Sequence, residues 1–247
     1  MPLSTEQLGR VVDEDGNVAS HVDMLIYGKS KSGRTYEAAT APKPYLITAD
    51  PTGHKSIPIA IPGRVINSIT QVREDLEEFR KGGHGFKTLI LDGLSFMHDV
   101  YIREVGQYFV ANFGAKDPDM ISIGARGKVL KNFKELLAMA IALTNHPNPE
   151  DRVHVICTTD EERVKEDDTA PFSIRPLFGS KSMNQEYPKL FSIIAYIQPV
   201  GTMLSEGKVD QTRKMLFAEV EGIQAGDRLN MFPTVCEPAP NLSEYLK

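Results

Sequence analysis

Cysteine is scarce: the 247-residue chain has two, Cys157 inside an apolar run and Cys236 near the C-terminus. So placed, they make neither a disulfide framework nor a zinc-ligand spacing, and they fit a reducing cytoplasmic setting. Long hydrophobic runs are missing as well. The longest purely apolar stretch, Leu136 to Leu143, falls far short of the roughly 20 residues that cross a bilayer, so membrane spanning is not expected. Met1 to Val22 has no apolar leader core, so secretion is not expected either. The six histidines (21, 54, 84, 98, 146 and 154) show no H-E-x-x-H or Cys/His ligand spacing, which argues against a structural metal. There is no G-x-S-x-G elbow, and Gly82-Gly83-His84-Gly85 precedes a strand pattern instead of joining strand to helix, so hydrolase and dinucleotide fingerprints are both unsupported. Nor does one sign of charge dominate. With 28 Lys+Arg against 33 Asp+Glu the formal charge is −5, which excludes a uniformly basic surface but leaves room for a local basic groove.

What is there reads as an ordinary globular chain, 41% hydrophobic and 25% charged, of a size routine for one α/β domain. Residues 1–21 are polar and aperiodic and are expected as an N-terminal arm; 22–235 form the expected core and 236–247 a C-terminal tail. Short apolar blocks at 24–27, 44–49, 88–91 and 153–157 read as buried strands, with later β-rich blocks at 192–197 and 214–220. Helical patterns fall between them: a short one before Pro42, one over 69–81 introduced by the capping-box spacing of Ser68 to Gln71, and longer ones over 95–113 and 128–144. Phe109, Phe113, Phe133, Leu136, Leu137 and Met139 lie at core-like helical spacings. This alternation predicts a mostly parallel central sheet flanked by helices. The acidic run from Asp160 to Asp168 is expected as a solvated loop.

The most informative string is Gly28-Lys29-Ser30-Lys31-Ser32-Gly33-Arg34-Thr35, which has the phosphate-loop spacing G-x-x-x-x-G-K-[ST] with arginine in place of lysine. It follows an apolar strand and opens a helix, where glycines let backbone N–H groups converge on phosphate oxygens. Thr35 then supplies a hydroxyl for Mg²⁺, and Arg34 a charge for the β- and γ-phosphates of ATP. The plainer alternative is a basic Gly/Ser turn. Asp92 ends the apolar strand Thr88-Leu89-Ile90-Leu91, where a carboxylate would hold the Mg²⁺ shell; its alternative is a helix-capping or turn aspartate.

Together the phosphate loop, the strand ending near Asp50, the strand ending in Asp92 and the strand ending in Thr158-Thr159 resemble the RecA-like P-loop NTPase core. More narrowly they resemble the small phage-encoded RecA-like nucleotide-binding proteins of recombination and single-strand annealing. Phe178-Gly179, the 192–197 block and Ala225-Gly226-Asp227-Arg228 extend the resemblance over about residues 22–230. The resemblance implies ATP and Mg²⁺ as cofactors, with Asp50, Arg34, Asp92 and Arg228 as catalytic residues. Asp50 stands where the family has a water-orienting glutamate, and is one methylene shorter. Because positioning supplies much of phosphoryl-transfer catalysis, that shortening puts rapid hydrolysis in question. Arginine in place of lysine is likewise not conservative, and Lys29 or Lys31 offer substitutes from the same loop. Thr158 and Thr159 take the place of a γ-phosphate sensor, or simply end a buried strand. Arg228, with Arg175 and Lys181 as weaker candidates, would act on a neighbouring subunit's nucleotide, or be a surface cation.

The same resemblance implies single-stranded DNA as partner, self-association into a ring or filament, and phage recombination or replication proteins as further partners. Candidate DNA loops are residues 114–131, with Lys116, Arg126, Lys128 and Lys131, and 160–181, with Arg163, Lys165, Phe172, Arg175, Phe178 and Lys181. Cations with interleaved aromatics suit backbone neutralisation and base stacking, although the acidic residues of the second segment oppose it. The expected function is therefore a DNA-dependent ATPase. The rivals are a non-hydrolysing P-loop scaffold or interaction module with a degenerate nucleotide site, and a loader of other replication proteins.

Overall fold

A computed structural model describes residues 21–113, 122–165, 171–203 and 209–246. Its centre is a ten-stranded sheet in the order β10-β8-β7-β1-β5-β4-β2-β3, with β6 beside β5 and β9 beside β7. The parallel part comprises β7 (Ile193–Met203), β1 (Asp23–Gly28), β5 (His154–Val164), β4 (Thr88–Asp92), β2 (Pro44–Thr48) and β3 (Gly63–Val65). Antiparallel additions are β6 (Ser173–Leu177), β8 (Val209–Leu216), β9 (Gly226–Asp227) and β10 (Val235–Cys236). This is the mostly parallel α/β core flanked by helices that the alternation of strand and helix patterns predicts.

Both faces of the sheet are covered, which is why its central strands are continuous apolar runs and not alternating ones. On one face Leu25, Leu89, Leu91, Val155 and Cys157 pack against α2 (Ile69–Lys81), α3 (Leu94–Phe113), α4 (Ile123–Ala142) and α5 (Lys181–Glu186). On the other, Met24, Ile26, Ile90 and Ile156 meet Ala38 of the short α1 (Arg34–Ala38) and the chain's last residues. The segment expected as a tail brings Leu242 and Leu246 into this second core, and Phe232 stacks between Phe217 and Tyr245 at 4.3 and 4.7 Å.

Several elements differ from the sequence expectation. The acidic run is strand, not loop, through Val164: β5 continues beyond the sheet as a hairpin arm with β6. Its acids are partnered, Asp160 by Arg34, Glu161 by the Tyr196 hydroxyl and Glu162 by Arg175. Pairing lets a charged segment hold strand geometry, a possibility that counting charges overlooks. Residues 166–170 lie outside the described residues. α4 begins at 123, ahead of the expected 128, because Ser122 caps it through the Ala125 N–H. The α2 cap is also more than local. The Ser68 hydroxyl accepts from the Thr70 N–H, whereas Gln71 turns to the Asn67 N–H, and Glu104 of α3 accepts from the Ile69 N–H and the Ser68 and Thr70 hydroxyls.

Candidate functional site

The candidate site lies at the C-terminal ends of the parallel strands, where β1 runs into Gly28 and the glycine loop begins. Gly28 is required by packing, since a side chain there would collide with the carbonyl oxygen of Ile197 on β7. Gly33 is required by conformation, with φ of 95° before the first turn of α1. The loop closes on itself through a Ser32 N–H to Lys29 carbonyl bond of 3.1 Å. It faces a cleft of about 360 Å³ lined by Ser30, Gly33, Thr35, Asp50, Gly53 and Arg213, among others.

Asp92 is 2% exposed and collects three hydroxyl donors. Thr35 donates to its Oδ1 at 2.8 Å, Thr158 to the same oxygen at 2.7 Å, and Thr48 to Oδ2 at 2.9 Å. Each strand threonine is itself fixed: Thr158 accepts from the Gly93 N–H at 2.9 Å and Thr48 from the Asp50 N–H at 3.1 Å. The ends of β2 and β4, the middle of β5 and the start of α1 are thereby tied to one carboxylate. The sequence singled out Thr35, Asp92 and Thr158; Thr48 was missed, because a threonine ending an apolar strand has no distinguishing pattern.

Asp50 lies beside this centre with its Oδ1 engaged by the N–H and hydroxyl of Thr52, both at 2.8 Å. Its Oδ2 and the Asp92 Oδ2 flank Gly53, at 2.9 and 3.2 Å from where a Cβ would stand, so a residue larger than glycine would crowd both carboxylates. Burial alone would raise the Asp50 pKa. The bonds from Thr52, a bond from the Gly53 N–H and the charge of Arg34 outweigh it and hold the carboxyl below its usual range. Asp50 is therefore an ionised carboxylate at the cleft.

Arg34 does not point freely at the cleft. Its Nη2 pairs with Asp160 Oδ1 at 2.7 Å, and Asp160 also accepts from the Ser95 hydroxyl at 2.9 Å. Its Nη1 is buried with no hydrogen-bond partner, as is the Ser32 hydroxyl. Lys29 and Lys31 are exposed. Arg213 of β8, not anticipated from the sequence, supplies a second cation: it lies against Gly33, stacks over Tyr36 at 4.2 Å and pairs with Glu37 at 3.3 Å. Burial raises the Glu37 pKa, and Arg213 opposes that rise.

The remaining candidates are dispersed. Arg228 is exposed, and its backbone N–H reaches the Ser192 carbonyl near Asp23, the end of β1 opposite the loop. Arg175 is paired with Glu162, and Lys181 is exposed at the start of α5. Phe178, expected among the DNA-loop aromatics, is fully buried and packs edge-on to Tyr187 at 5.3 Å; it is a core residue. Phe172 is exposed under the Lys165 ammonium at 4.7 Å. Arg126, Lys128 and Lys131 are exposed on α4, whereas Lys116 lies outside the described residues.

These residues fit a nucleotide with Mg²⁺. The orphaned Arg34 Nη1 and Ser32 hydroxyl are donors of the kind that phosphate oxygens satisfy. Thr35 and Asp92 offer hard oxygens, and among the described residues no group of three His, Cys, Asp or Glu side chains forms a cage of its own. Mg²⁺ commonly takes one or two protein ligands and completes its shell with phosphate and water. No helix of the described residues is long and apolar enough to cross a membrane.

No curated protein matches the chain. A solved structure, that of a prototypical ATPase from the type III secretion system of pathogenic bacteria, is similar over 72% of this chain and 52% of that one, at 13% identity and a TM-score of 0.43. The present chain thus spans about half the length of that ATPase. The family comparison covers most of the chain, from the start of the core through the phosphate loop and Asp92 to β9: residues 20–229 match the AAA domain. The chain belongs to the AAA domain family of nucleotide-binding P-loop proteins.

Proposed function

We propose that the protein binds Mg-ATP in the cleft at the glycine loop and hydrolyses it, with occupancy organising an oligomer on single-stranded DNA. The observation that carries the nucleotide reading is the 2.8 Å contact between Thr35 and Asp92 directly beneath the glycine loop. In this reading Thr35 and Asp92 hold Mg²⁺, the loop N–H groups and Arg34 bind phosphate, and Asp50, kept ionised by Thr52, orients the attacking water. Mg²⁺ supplies charge neutralisation at the transferred phosphoryl group.

DNA binding is supported by chemistry outside the cleft. Tyr108 and Phe113 are exposed at the end of α3, with Phe109 at 5.3 Å from Phe113, and Lys128 lines the same surface pocket from α4. Aromatic faces beside cations are the elements that bind single strands without sequence preference. The role in phage recombination or annealing rests on the resemblance of the sequence motifs. A second reading, a nucleotide-binding scaffold without turnover, is favoured by Arg34 being drawn to Asp160 and by Asp50 being engaged with Thr52.

Steady-state Mg-ATP turnover with and without single-stranded DNA tests the proposal. Turnover raised by DNA is expected. Nucleotide binding with no turnover in either condition would leave the scaffold reading, and absence of binding would overturn both.

A further inference from the structure

The cleft has two distinguishable ends. Asp50 and Gly53, with Asp92 behind them, mark the end where the terminal phosphate belongs on the reading proposed above. A second depression of about 350 Å³, lined by Tyr36, Glu37, Thr40, Thr212 and Arg213 among others, shares Tyr36 and Arg213 with the cleft. Arg213 lines both spaces, so anything running from the loop into the depression passes its guanidinium.

Arg213 is also held for such a task. Its Nε and Cδ lie so close to Gly33 that a Cβ at that position would collide with them. Its charged plane covers the Tyr36 ring, and its Nη1 is anchored on Glu37, which is 4% exposed. An anchored guanidinium loses less freedom on binding an anion than a free one, and its planar fork has further donors to offer. Arg34, the loop's own cation, is meanwhile paired with Asp160. Arg213 comes from a strand 176 residues beyond Glu37, outside the phosphate-loop motif.

We propose that Arg213 clamps the nucleoside end of the bound nucleotide, donating to the α-phosphate as the chain of phosphates leaves the loop. The proposal rests on the nucleotide reading. It predicts that Arg213 contributes equally to ATP and ADP, which share that end, whereas a cation at the terminal phosphate would favour ATP.

Isothermal titration with Mg-ATP and with Mg-ADP tests it on the wild-type chain, R213A, R213K and the double variant E37Q/R213A. Removing one hydrogen-bonded charge contact should weaken both nucleotides by a similar factor, about tenfold or more. R213K should recover part of the loss. The double variant removes the buried carboxylate that R213A strands, so it should fold as the wild type does and still bind weakly. Wild-type affinity in R213A or in the double variant would overturn the clamp, as would a loss confined to ATP. If the wild-type chain binds neither nucleotide, the nucleotide reading fails and the clamp with it; if it binds and R213A matches it, the clamp alone fails.

Discussion

On the Asp92 side of the phosphate loop, hydroxyls from the end of β2, the middle of β5 and the first turn of α1 converge on the buried carboxylate that ends β4, through bonds of 2.7 to 2.9 Å. On the other side, charge is distributed through two ion pairs: Arg34 with Asp160 at 2.7 Å and Arg213 with Glu37 at 3.3 Å. The first arrangement is fixed by the sheet, because parallel strands in register deliver their C-terminal residues to one edge. The second depends on side chains that have a competing partner already present. On the proposed reading, a nucleotide entering between them would meet a metal end fixed by the sheet and a cation end where phosphate must compete with carboxylates, so affinity would be set on the second side and chemistry on the first.

The largest effect should therefore come from Asp92. Asp92→Ala would remove the acceptor of three hydroxyls and the candidate Mg²⁺ ligand together. Turnover should fall below detection, and unfolding in urea should register a loss of about 2–4 kcal/mol, since buried donors left unpaired cost about 1–3 kcal/mol each and partly find new partners. Stability unchanged within error would show that the hydroxyl cluster contributes nothing to the fold and would remove the contrast between the two sides.

Much of the metal side was legible in the sequence, and little of the cation side. Gly28, Thr35 and Asp92 are found by spacing because the loop is contiguous and the strand pattern places Asp92 at a strand end. Thr158 was legible only as a polar strand terminus; its bond to Asp92 spans 66 residues. Arg213 follows no local pattern, and its partnership with Glu37 arises only because β8 folds back along β7. Asp160 was assigned to a solvated run on charge alone, but its register opposite Gly28 brings it to Arg34. Periodicity reports which face a residue occupies. It does not report which charge will oppose it across a sheet.

Asp50 tests whether the metal side is complete. If its side chain is a shortened water-orienting carboxylate, Asp50→Glu should raise Mg-ATP turnover by about tenfold or more, because ~1 Å of misplacement can cost a hundredfold. Asp50→Asn should abolish it. A lower rate in Asp50→Glu would make Asp50 a turn residue whose task is to bind Thr52, and would assign water positioning elsewhere.

Asp160 sharpens the other side. Asp160→Asn keeps the Ser95 contact but removes the charge that holds Arg34, leaving the guanidinium to phosphate. Mg-ATP affinity should rise several-fold, in the range of one partly exposed ion pair, about 0.5–1 kcal/mol. Arg34→Ala should weaken it far more, to the point of losing measurable binding. Equal affinity in Asp160→Asn and the wild type would mean that the pair does not compete with nucleotide.

His98 gives the smallest effect and lies away from both cations. Its ring is 3% exposed beneath Gly179, and both nitrogens lack hydrogen-bond partners. Burial lowers its pKa, with Asp99 at 3.9 Å opposing the shift, so the folded chain holds it neutral while the unfolded chain takes up the proton first. Stability is then fully present above the unfolded value near 6.5 and is lost as pH falls from there through the lower folded value. His21 and His84 shift in the same direction and add to the slope. Replacing His98 by leucine should change stability at pH 7.5 by about 1–2 kcal/mol at most and make the decline between pH 7 and 5 shallower. An unchanged decline would assign the acid sensitivity to His21 and His84. A shallower one, with Mg-ATP affinity preserved, would place the pH response of the fold in the α3–Gly179 contact and separate it from the charges that face the nucleotide.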